Sequence, residues 1–197
     1  MNRPVQYLVA VSAFVFLSCN LFETRTPESP AQTSSNFNPP INASDVFDNM
    51  EHAFTDLNTV NYAKSFSDSS NSGRIFQFEP SAQARTQYVG VFLAWSKQSE
   101  QQYFDNMKSK MQAGAAASLI LSLNPVSVQS DSAQYDADYQ LNIPFTQSAS
   151  TKVFQGQAQF FLVRDRLTST WSIWRWVDLR DSQDDPGWSD LKGTYAQ

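Results

Sequence analysis

The chain has 197 residues, of which 41% are apolar and 14% aromatic, and its formal net charge is −5. A chain of this size can bury one hydrophobic core, and a single cysteine excludes an internal disulfide. Mild acidity argues against a nucleic-acid-binding module, because such modules usually carry clusters of lysine and arginine. It argues equally against attachment to anionic lipid through charge.

The first residues of the chain have the pattern of an export signal. Arg3 supplies a positive charge, and the uncharged, mainly apolar run Val5–Leu17 follows it. This run is shorter than the roughly 20 residues that a membrane-spanning helix needs, so a cleaved signal peptide over residues 1–18 is predicted. A buried apolar strand followed by an incidental cysteine, or an ordinary secretory signal, are the alternatives.

The segment Phe16-Leu17-Ser18-Cys19 resembles the lipobox of bacterial lipoproteins. The resemblance implies cleavage before Cys19, lipid (palmitate) on that cysteine, and a mature chain held to a membrane by the lipid rather than by the domain surface. Asn20 is not the aspartate that retains lipoproteins at the inner membrane of enterobacteria. The expected location is therefore the bacterial cell envelope, with the outer membrane favoured over the inner membrane.

Residues 19–43 are predicted to be the lipidated cysteine and a flexible linker. The stretch contains Pro27, Pro30, Pro39 and Pro40, with serine and asparagine between them. Such a composition disfavours helices and central strands. The linker is expected to be dispensable for folding, and a single domain is predicted over residues 44–197.

The domain is predicted to begin with helices. Val46, Met50 and Leu57 recur at helical spacing after a capping residue, and a second short helix is predicted around residues 60–66. A short strand is predicted over residues 74–78. A longer helix is predicted over residues 91–111, with Phe92, Trp95, Phe104, Met107 and Met111 facing inward and Glu100 largely on the solvent face.

Beyond residue 118 the hydrophobic period changes from helical spacing to two. Residues 119–128 form a strand candidate that Pro125 interrupts, which predicts an edge or bulged strand. From Ala133 to Phe145 apolar and polar residues alternate, which predicts a long antiparallel strand with one buried face. Further strands are predicted over residues 152–164, with a bend at Gly156, and 170–180, and the last of these is expected near the centre of the sheet.

The last predicted strand carries large aromatic side chains on both faces. Strict alternation places Trp171, Ile173 and Arg175 on one face and Trp174, Trp176 and Asp178 on the other. One face is expected to meet the helices. The other is expected to be covered by the chain's own tail, by a second protomer or by a partner. The candidate partner face comprises Trp174, Trp176, Asp178 and Trp188. The candidate pocket comprises Trp95, Tyr103 and Arg175.

Helices followed by long antiparallel strands predict an α+β domain with helices packed on one face of a curved sheet. This order, with long strands that end in Trp171–Asp178, resembles the nuclear-transport-factor-2-like (NTF2-like) fold, also called cystatin-like or SnoaL-like. Phe160–Arg164 followed by Trp171–Ile173 is similar to the closing hairpin of that fold. The resemblance implies a cone with a pocket. The segment Trp188–Lys192 is similar to the tail of small lipoproteins that carry such a domain. The superfamily contains enzymes and non-enzymes, so a reaction is not implied.

Few residues are candidates for catalysis. Enzymes of this superfamily often place a His–Asp or Tyr–Asp pair in the cone, but the only histidine, His52, is expected to face solvent. Metal sites with two histidines are excluded, no serine has a recognisable triad partner, and Asp136 and Asp138 are predicted to be solvated.

These observations favour a non-enzymatic binding or structural module of the cell envelope, without a cofactor or a metal. A small hydrolase or isomerase that uses a carboxylate in the cone is the alternative. The expected partners are the membrane, through lipid on Cys19, and a second copy or an envelope protein, but no nucleic acid.

Overall fold

The computed structural model describes residues 36–179 and 185–196. The predicted signal peptide, the predicted lipidation site Cys19 and linker residues 20–35 therefore lie outside the described residues. No helix within the described ranges is long and apolar enough to cross a membrane.

Six helices occur in the described residues: α1 (Asp45–Thr55), α2 (Thr59–Lys64), α3 (Ser69–Ser72), α4 (Ala82–Gln87), α5 (Lys97–Ser109) and α6 (Trp188–Thr194). The predictions of α1 and α2 are confirmed, and the side chain of Asn58 caps α2 by accepting from the backbone of Asn61. The predicted helix over 91–111 is too long. Ser96 and Ser99 form a capping box that starts α5 at Lys97, and the residues before it form a turn.

Five strands form one sheet: β1 (Gln77–Glu79), β2 (Ser118–Val128), β3 (Ser132–Ile143), β4 (Lys152–Arg164) and β5 (Trp171–Leu179). Their order is β1-β5-β4-β3-β2, and every neighbouring pair is antiparallel except β1 and β5. The prediction of an α+β domain with a near-central last strand is confirmed. Strand β2 lies at the edge and shifts register after Pro125, as the proline predicts.

The inner face of the sheet carries the predicted apolar residues of β3 and β4. The odd-numbered residues of β3 from Ala133 to Ile143 are all buried. On the same face Phe47 of α1 packs edge-on against Tyr135 and Phe160, with ring centroids 5.2 Å apart in both pairs. The strict alternation therefore correctly predicts which face of the sheet is buried against the helices.

A β-bulge in β5 overturns the predicted assignment of its faces. Arg175 pairs with Phe161 and Ile173 pairs with Leu162, which leaves Trp174 as an extra residue. Beyond the bulge the alternation changes phase, so Trp176 faces the interior and is 0% exposed. The prediction that Trp176 and Asp178 share a face with Trp174 is wrong for this reason.

The chain packs against the domain before the predicted boundary at residue 44. The backbone N–H of Asn38 donates to the Asn49 side chain at 2.9 Å, and the Asn49 amide donates back to the Asn38 carbonyl at 2.7 Å. Pro40 is buried and its carbonyl accepts from the backbone N–H of Trp171 at 2.8 Å. Residues 36–43 therefore belong to the folded part and not to a linker.

Candidate functional site

The interior between the curved sheet and the helices is filled by the C-terminal helix α6. Trp188, Leu191 and Lys192 project from one face of α6, because residues three and four positions apart lie side by side on a helix. All three are 0% exposed. The tail therefore covers aromatic residues of β5, as one prediction proposed, but it does so from inside the cone.

A buried ion pair lies at the centre of this interior. The Nζ of Lys192 lies 2.5 Å from Oε1 of Glu100, and neither side chain is exposed. The indole N–H of Trp95 donates to the same oxygen at 2.7 Å, and the Tyr62 hydroxyl donates to Oε2 at 2.8 Å. Both carboxylate oxygens are thus satisfied by buried donors. Burial lowers the pKa of Lys192 to about 8, although the charge of Glu100 opposes this.

Aromatic rings surround the Lys192 ammonium. Its Nζ lies 3.4 Å from the ring centroid of Trp176 and 3.6 Å from that of Phe78. The rings of Tyr103, Trp95 and Trp188 lie farther away, at 5.6, 5.8 and 6.0 Å. The faces of aromatic rings attract cations through their quadrupole, so these five rings form an aromatic cage that offsets part of the ammonium's desolvation.

Two tyrosines connect the ion pair to the rest of α6. Burial, followed by the charge of Glu100, raises the pKa of both Tyr62 and Tyr103, so their hydroxyls stay protonated. The hydroxyls lie 3.1 Å apart, and that of Tyr103 accepts from the Trp188 indole N–H at 3.0 Å. The Tyr62 hydroxyl has one proton, which it donates to Glu100. In the hydrogen bond between the two tyrosines, Tyr103 is therefore the donor and Tyr62 the acceptor. The resulting chain leads from Trp188 to the carboxylate.

A second buried carboxylate holds the beginning of α6. Asp178 accepts from the Tyr139 hydroxyl at 2.8 Å through Oδ1, and from the backbone N–H and hydroxyl of Ser189 through Oδ2. Burial raises its pKa, and the hydrogen bonds from Ser189 and Tyr139 act in the opposite direction. The Tyr139 hydroxyl also accepts from the backbone N–H of Trp188 at 2.8 Å. Gly156 makes this approach feasible, because a Cβ there would lie 2.7 Å from the Tyr139 hydroxyl.

A cleft of about 480 Å³ lies where α6 meets α4 and the beginning of β4. Its lining includes Gln83, Tyr88, Lys152, Phe154, Asp190 and Tyr195. The ring of Tyr195 stacks on Phe145 with centroids 5.2 Å apart, which gives the cleft a fixed aromatic wall. A volume in this range, with aromatic rings and a few polar groups, is typical of small-ligand sites.

The outer face of the sheet carries the displaced tryptophan. Trp174 is partly exposed, the guanidinium of Arg74 lies 4.4 Å from its ring centroid, and Phe161 lies 6.1 Å away. Arg175 is on the same side, with its Nε 2.7 Å from Oε1 of Glu79. The outer face therefore presents cation–π pairs and a partly exposed ion pair rather than a bare apolar patch.

The residues of the candidate pocket and of the candidate partner face do not lie together as predicted. Trp95 and Tyr103 do lie together in the interior, but Arg175 lies outside, because the bulge turns it away. Of the candidate partner face, only Trp174 reaches the surface. Trp176, Asp178 and Trp188 are buried, so the prediction that these four residues form one surface is wrong.

Sequence reasoning missed the two charges of the ion pair. Glu100 was expected to be largely solvated, yet it is 0% exposed. A signal was present, since Glu100, Tyr103, Phe104 and Met107 recur at the spacing of one buried helical stripe. No local pattern in the sequence indicates that Lys192 is buried. It follows Trp188 by four residues, which places both on one face once a helix is assumed.

Two other candidates lie where they were expected. His52 is exposed, with its Nδ1 3.1 Å from the Asn36 carbonyl. Asp136 and Asp138 lie on the outer face and accept from the amides of Gln159 and Gln157. Within the described ranges, no group of three or more His, Cys, Asp or Glu residues could hold a metal ion.

No protein-family model matches the sequence, and no curated protein matches it. Solved structures do match. An NTF2-like superfamily protein from Salmonella enterica serovar Typhimurium superposes with a TM-score of 0.52 at 10% identity, over 71% of this chain and 89% of that chain. A conserved protein from Planctomyces limnophilus gives a TM-score of 0.52 at 12% identity, over 68% and 89%.

A ketosteroid isomerase-like protein from Erwinia carotovora atroseptica gives a TM-score of 0.50 at 12% identity, over 71% of this chain and 94% of that chain. Identities this low indicate the fold alone. The described domain thus has the NTF2-like fold, which agrees with its element order and sheet. The fold leaves the choice between an enzyme and a binding module to the residues of the site.

Proposed function

We propose that this protein is a lipid-anchored, non-enzymatic binding module of the bacterial cell envelope. The observation that carries the proposal is the occupation of the cone by α6. Trp188, Leu191 and Lys192 take the space that a substrate would need, and all three are fully buried. Recognition of another molecule is therefore assigned to the outside of the domain.

The carboxylates of the interior support a structural role. A general base or acid must reach the proton of a substrate. Glu100 is engaged by Lys192, Trp95 and Tyr62. Asp178 is engaged by Tyr139 and Ser189, and it caps the beginning of α6. Asp178 thus holds the beginning of α6, and Glu100 holds Lys192 of the same helix while it also binds Trp95 and Tyr62.

The cleft beside α6 is the binding site that we propose. It combines the aromatic rings of Tyr88, Phe154 and Tyr195 with the exposed polar groups of Lys152 and Gln83. Rings stack on flat or apolar groups, and polar groups at the margin fix orientation. The ligand class that fits is a small amphipathic molecule, a glycan or a peptide segment of another envelope component.

Site-specific photo-crosslinking in living cells tests the proposal. A benzophenone side chain at Gln87, which lines the cleft, should give a discrete adduct. The same group at Leu167, which is 85% exposed in the β4–β5 turn, is the matched control. Lys152→Glu should abolish the adduct at Gln87. Equal adducts at both positions, or none at Gln87, would contradict a binding site in the cleft.

A small isomerase or hydrolase remains the second candidate because of one observation. Tyr139 and Asp178 form a hydrogen-bonded Tyr–Asp pair inside the cone, and burial raises the pKa of Asp178. Such a pair would act only if α6 left the cone. If Asp178→Asn abolished a turnover measured on envelope extracts without lowering the melting temperature, this candidate would replace the binding module.

A further inference from the structure

An apolar turn, residues 88–95, connects α4 to α5. Leu93 is 90% exposed and Val89 is 83% exposed, which places both among the most exposed large apolar side chains of the described residues. The chain carries no charge from Thr86 to Ser96. Single exposed leucines are ordinary on protein surfaces. Two exposed apolar side chains, Val89 and Leu93, on one short uncharged turn form a local apolar projection.

The base of the apolar turn is fixed to the core. The ring of Phe92 packs against Phe78 and Trp95, with centroids 5.7 and 5.1 Å apart. Gly90, at φ +83°, reverses the chain at the tip. The backbone N–H of Val91 donates to the Tyr88 carbonyl at 3.2 Å. Val89 and Leu93 are therefore held outward by a packed base, and no rearrangement is needed to present them.

We propose that the apolar turn is a membrane-contacting site that places Val89 and Leu93 in the interfacial region of the bilayer. This inference rests on the proposed lipid anchor at Cys19, which gives the domain a bilayer within reach. The 16 residues from 20 to 35 span at most about 55 Å when fully extended. A tether of this length raises the effective concentration of the domain at the surface to the order of millimolar.

Charge decides which lipid surface fits the apolar turn. The chain is acidic, with a net charge of −5, so an anionic surface would repel the domain as a whole. The uncharged turn needs no anionic headgroup, because insertion of apolar side chains removes their surface from water. Weak insertion is sufficient once the domain is tethered. The partner is thus a zwitterionic lipid surface, contacted through apolar side chains.

The test uses the mature chain from residue 20 with an N-terminal hexahistidine tag, bound to phosphatidylcholine vesicles that contain a nickel-chelating lipid. This tether replaces the acyl chains, so the result does not depend on whether Cys19 is modified. Without Cys19 the chain has no thiol. Each of L93C, V89C and L167C therefore carries a single environment-sensitive fluorophore, and Leu167, with 85% exposure on a different turn, serves as the control.

We expect the fluorophores at L93C and V89C to brighten several-fold on vesicles and to be quenched by brominated acyl chains, whereas the fluorophore at L167C stays unchanged. L93D should abolish the response of the V89C fluorophore. Equal behaviour of L93C and L167C on tethered protein overturns the inference. Brightening without vesicles that grows with protein concentration also overturns it and assigns the turn to contact with a second copy. Whether Cys19 is acylated is measured in a separate experiment, so an error in the proposed anchor can be distinguished from an error in the proposed membrane contact.

Discussion

Lys192 is costly to bury, and its surroundings show how the domain tolerates the charge. The ammonium has one carboxylate partner and five aromatic rings around it, and no part of it reaches solvent. Removing one member of a buried ion pair leaves an uncompensated charge, whereas removing both leaves a neutral core. Loss of one charge should therefore destabilise the fold more than loss of both charges together.

A double-mutant cycle measures this dependence. Lys192→Met and Glu100→Gln alone should each lower the free energy of unfolding by about 3–5 kcal/mol. The double variant should lose less than either single variant, because no unpaired charge remains. Urea unfolding of the four proteins provides the measurement. Additive losses in the double variant would contradict a coupled pair.

The pKa of Lys192 predicts a rise in stability with pH. It is about 8 in the folded protein, against 10.5 for an unperturbed lysine. Below pH 8 both states hold the proton, so the cost of burial is constant. Between pH 8 and 10.5 the unfolded chain binds more protons, so the free energy of unfolding rises by at most about 1.4 kcal/mol per pH unit.

Tyrosines limit this window from above. Burial raises the pKa of Tyr62, Tyr103 and Tyr139. Above pH 10 these side chains therefore lose their proton in the unfolded chain but keep it in the folded protein. The free energy of unfolding falls with pH in that range. Urea unfolding at pH 7.5 and 9.5 should therefore show a gain for the natural chain. The Glu100→Gln, Lys192→Met double variant is the control. Parallel changes in both proteins would refute the assignment to Lys192.

At the scale of elements, α6 is the decisive part of the domain. It supplies Trp188 to the centre of an aromatic cluster, with its ring 4.4 Å from Trp176 and 5.6 Å from Phe54. Aromatic pairs of this kind add to the burial of their large surface. The helix thus completes the core and closes the cone at the same time.

Truncation after Arg180 removes α6 and should leave an open, apolar cone. Trp176 and Phe78 would lose their cover, and Glu100 would lose its counter-ion. We expect aggregation or dimerisation in size-exclusion chromatography, with strong binding of a hydrophobic dye. A chain that ends at Ala196 is the control. A monodisperse, dye-negative protein after the truncation would show that α6 is dispensable.

The segment 36–43 is a second element whose importance the fold reveals. Its hydrogen bonds join Asn38 to Asn49 and Pro40 to Trp171. Loss of three such bonds and of a buried proline should cost roughly 2–3 kcal/mol, equivalent to about 5–10 °C in melting temperature.

Melting curves of three chains test this estimate. A chain that starts at Asn36 should melt at the temperature of one that starts at Asn20, since both retain the packed segment. A chain that starts at Ala43 should melt lower. If all three melted together, the contacts of residues 36–43 would contribute nothing to stability.

At the scale of the whole molecule, the proposed anchor and the proposed contacts of the domain would act together. The lipid would bring the domain to a bilayer, the apolar turn would contact that bilayer, and the cleft beside α6 would remain for a ligand. The anchor is tested by Cys19→Ala, which should abolish metabolic labelling with palmitate and release the protein from membranes. Ser34→Ala, in the predicted linker, is the control. Unchanged labelling of Cys19→Ala would refute lipidation at this residue.

Local patterns in the sequence were sufficient for most of the fold. The alternation from Ala133 to Phe145 and the helical spacing after Ser44 are relations between near neighbours in the chain, and they determine which side of each element is apolar. The NTF2-like order of helices and strands followed from these elements. The register break after Pro125 could also be predicted, because proline lacks the donor that the ladder needs.

Tertiary structure decided the site. The bulge at Trp174 depends on how β5 pairs with β4, and it inverts the faces of every later residue in the strand. Glu100 and Lys192 are 92 residues apart, and each has the composition of a solvated helix face until the other is brought beside it. The burial of a charge depends on a partner that no local pattern specifies. The sequence by itself therefore determined the order of the long strands, the first two helices and the apolar faces of β3 and β4. Only the packed chain determined the faces of β5 and what fills the cone, because these depend on contacts between residues far apart in the chain.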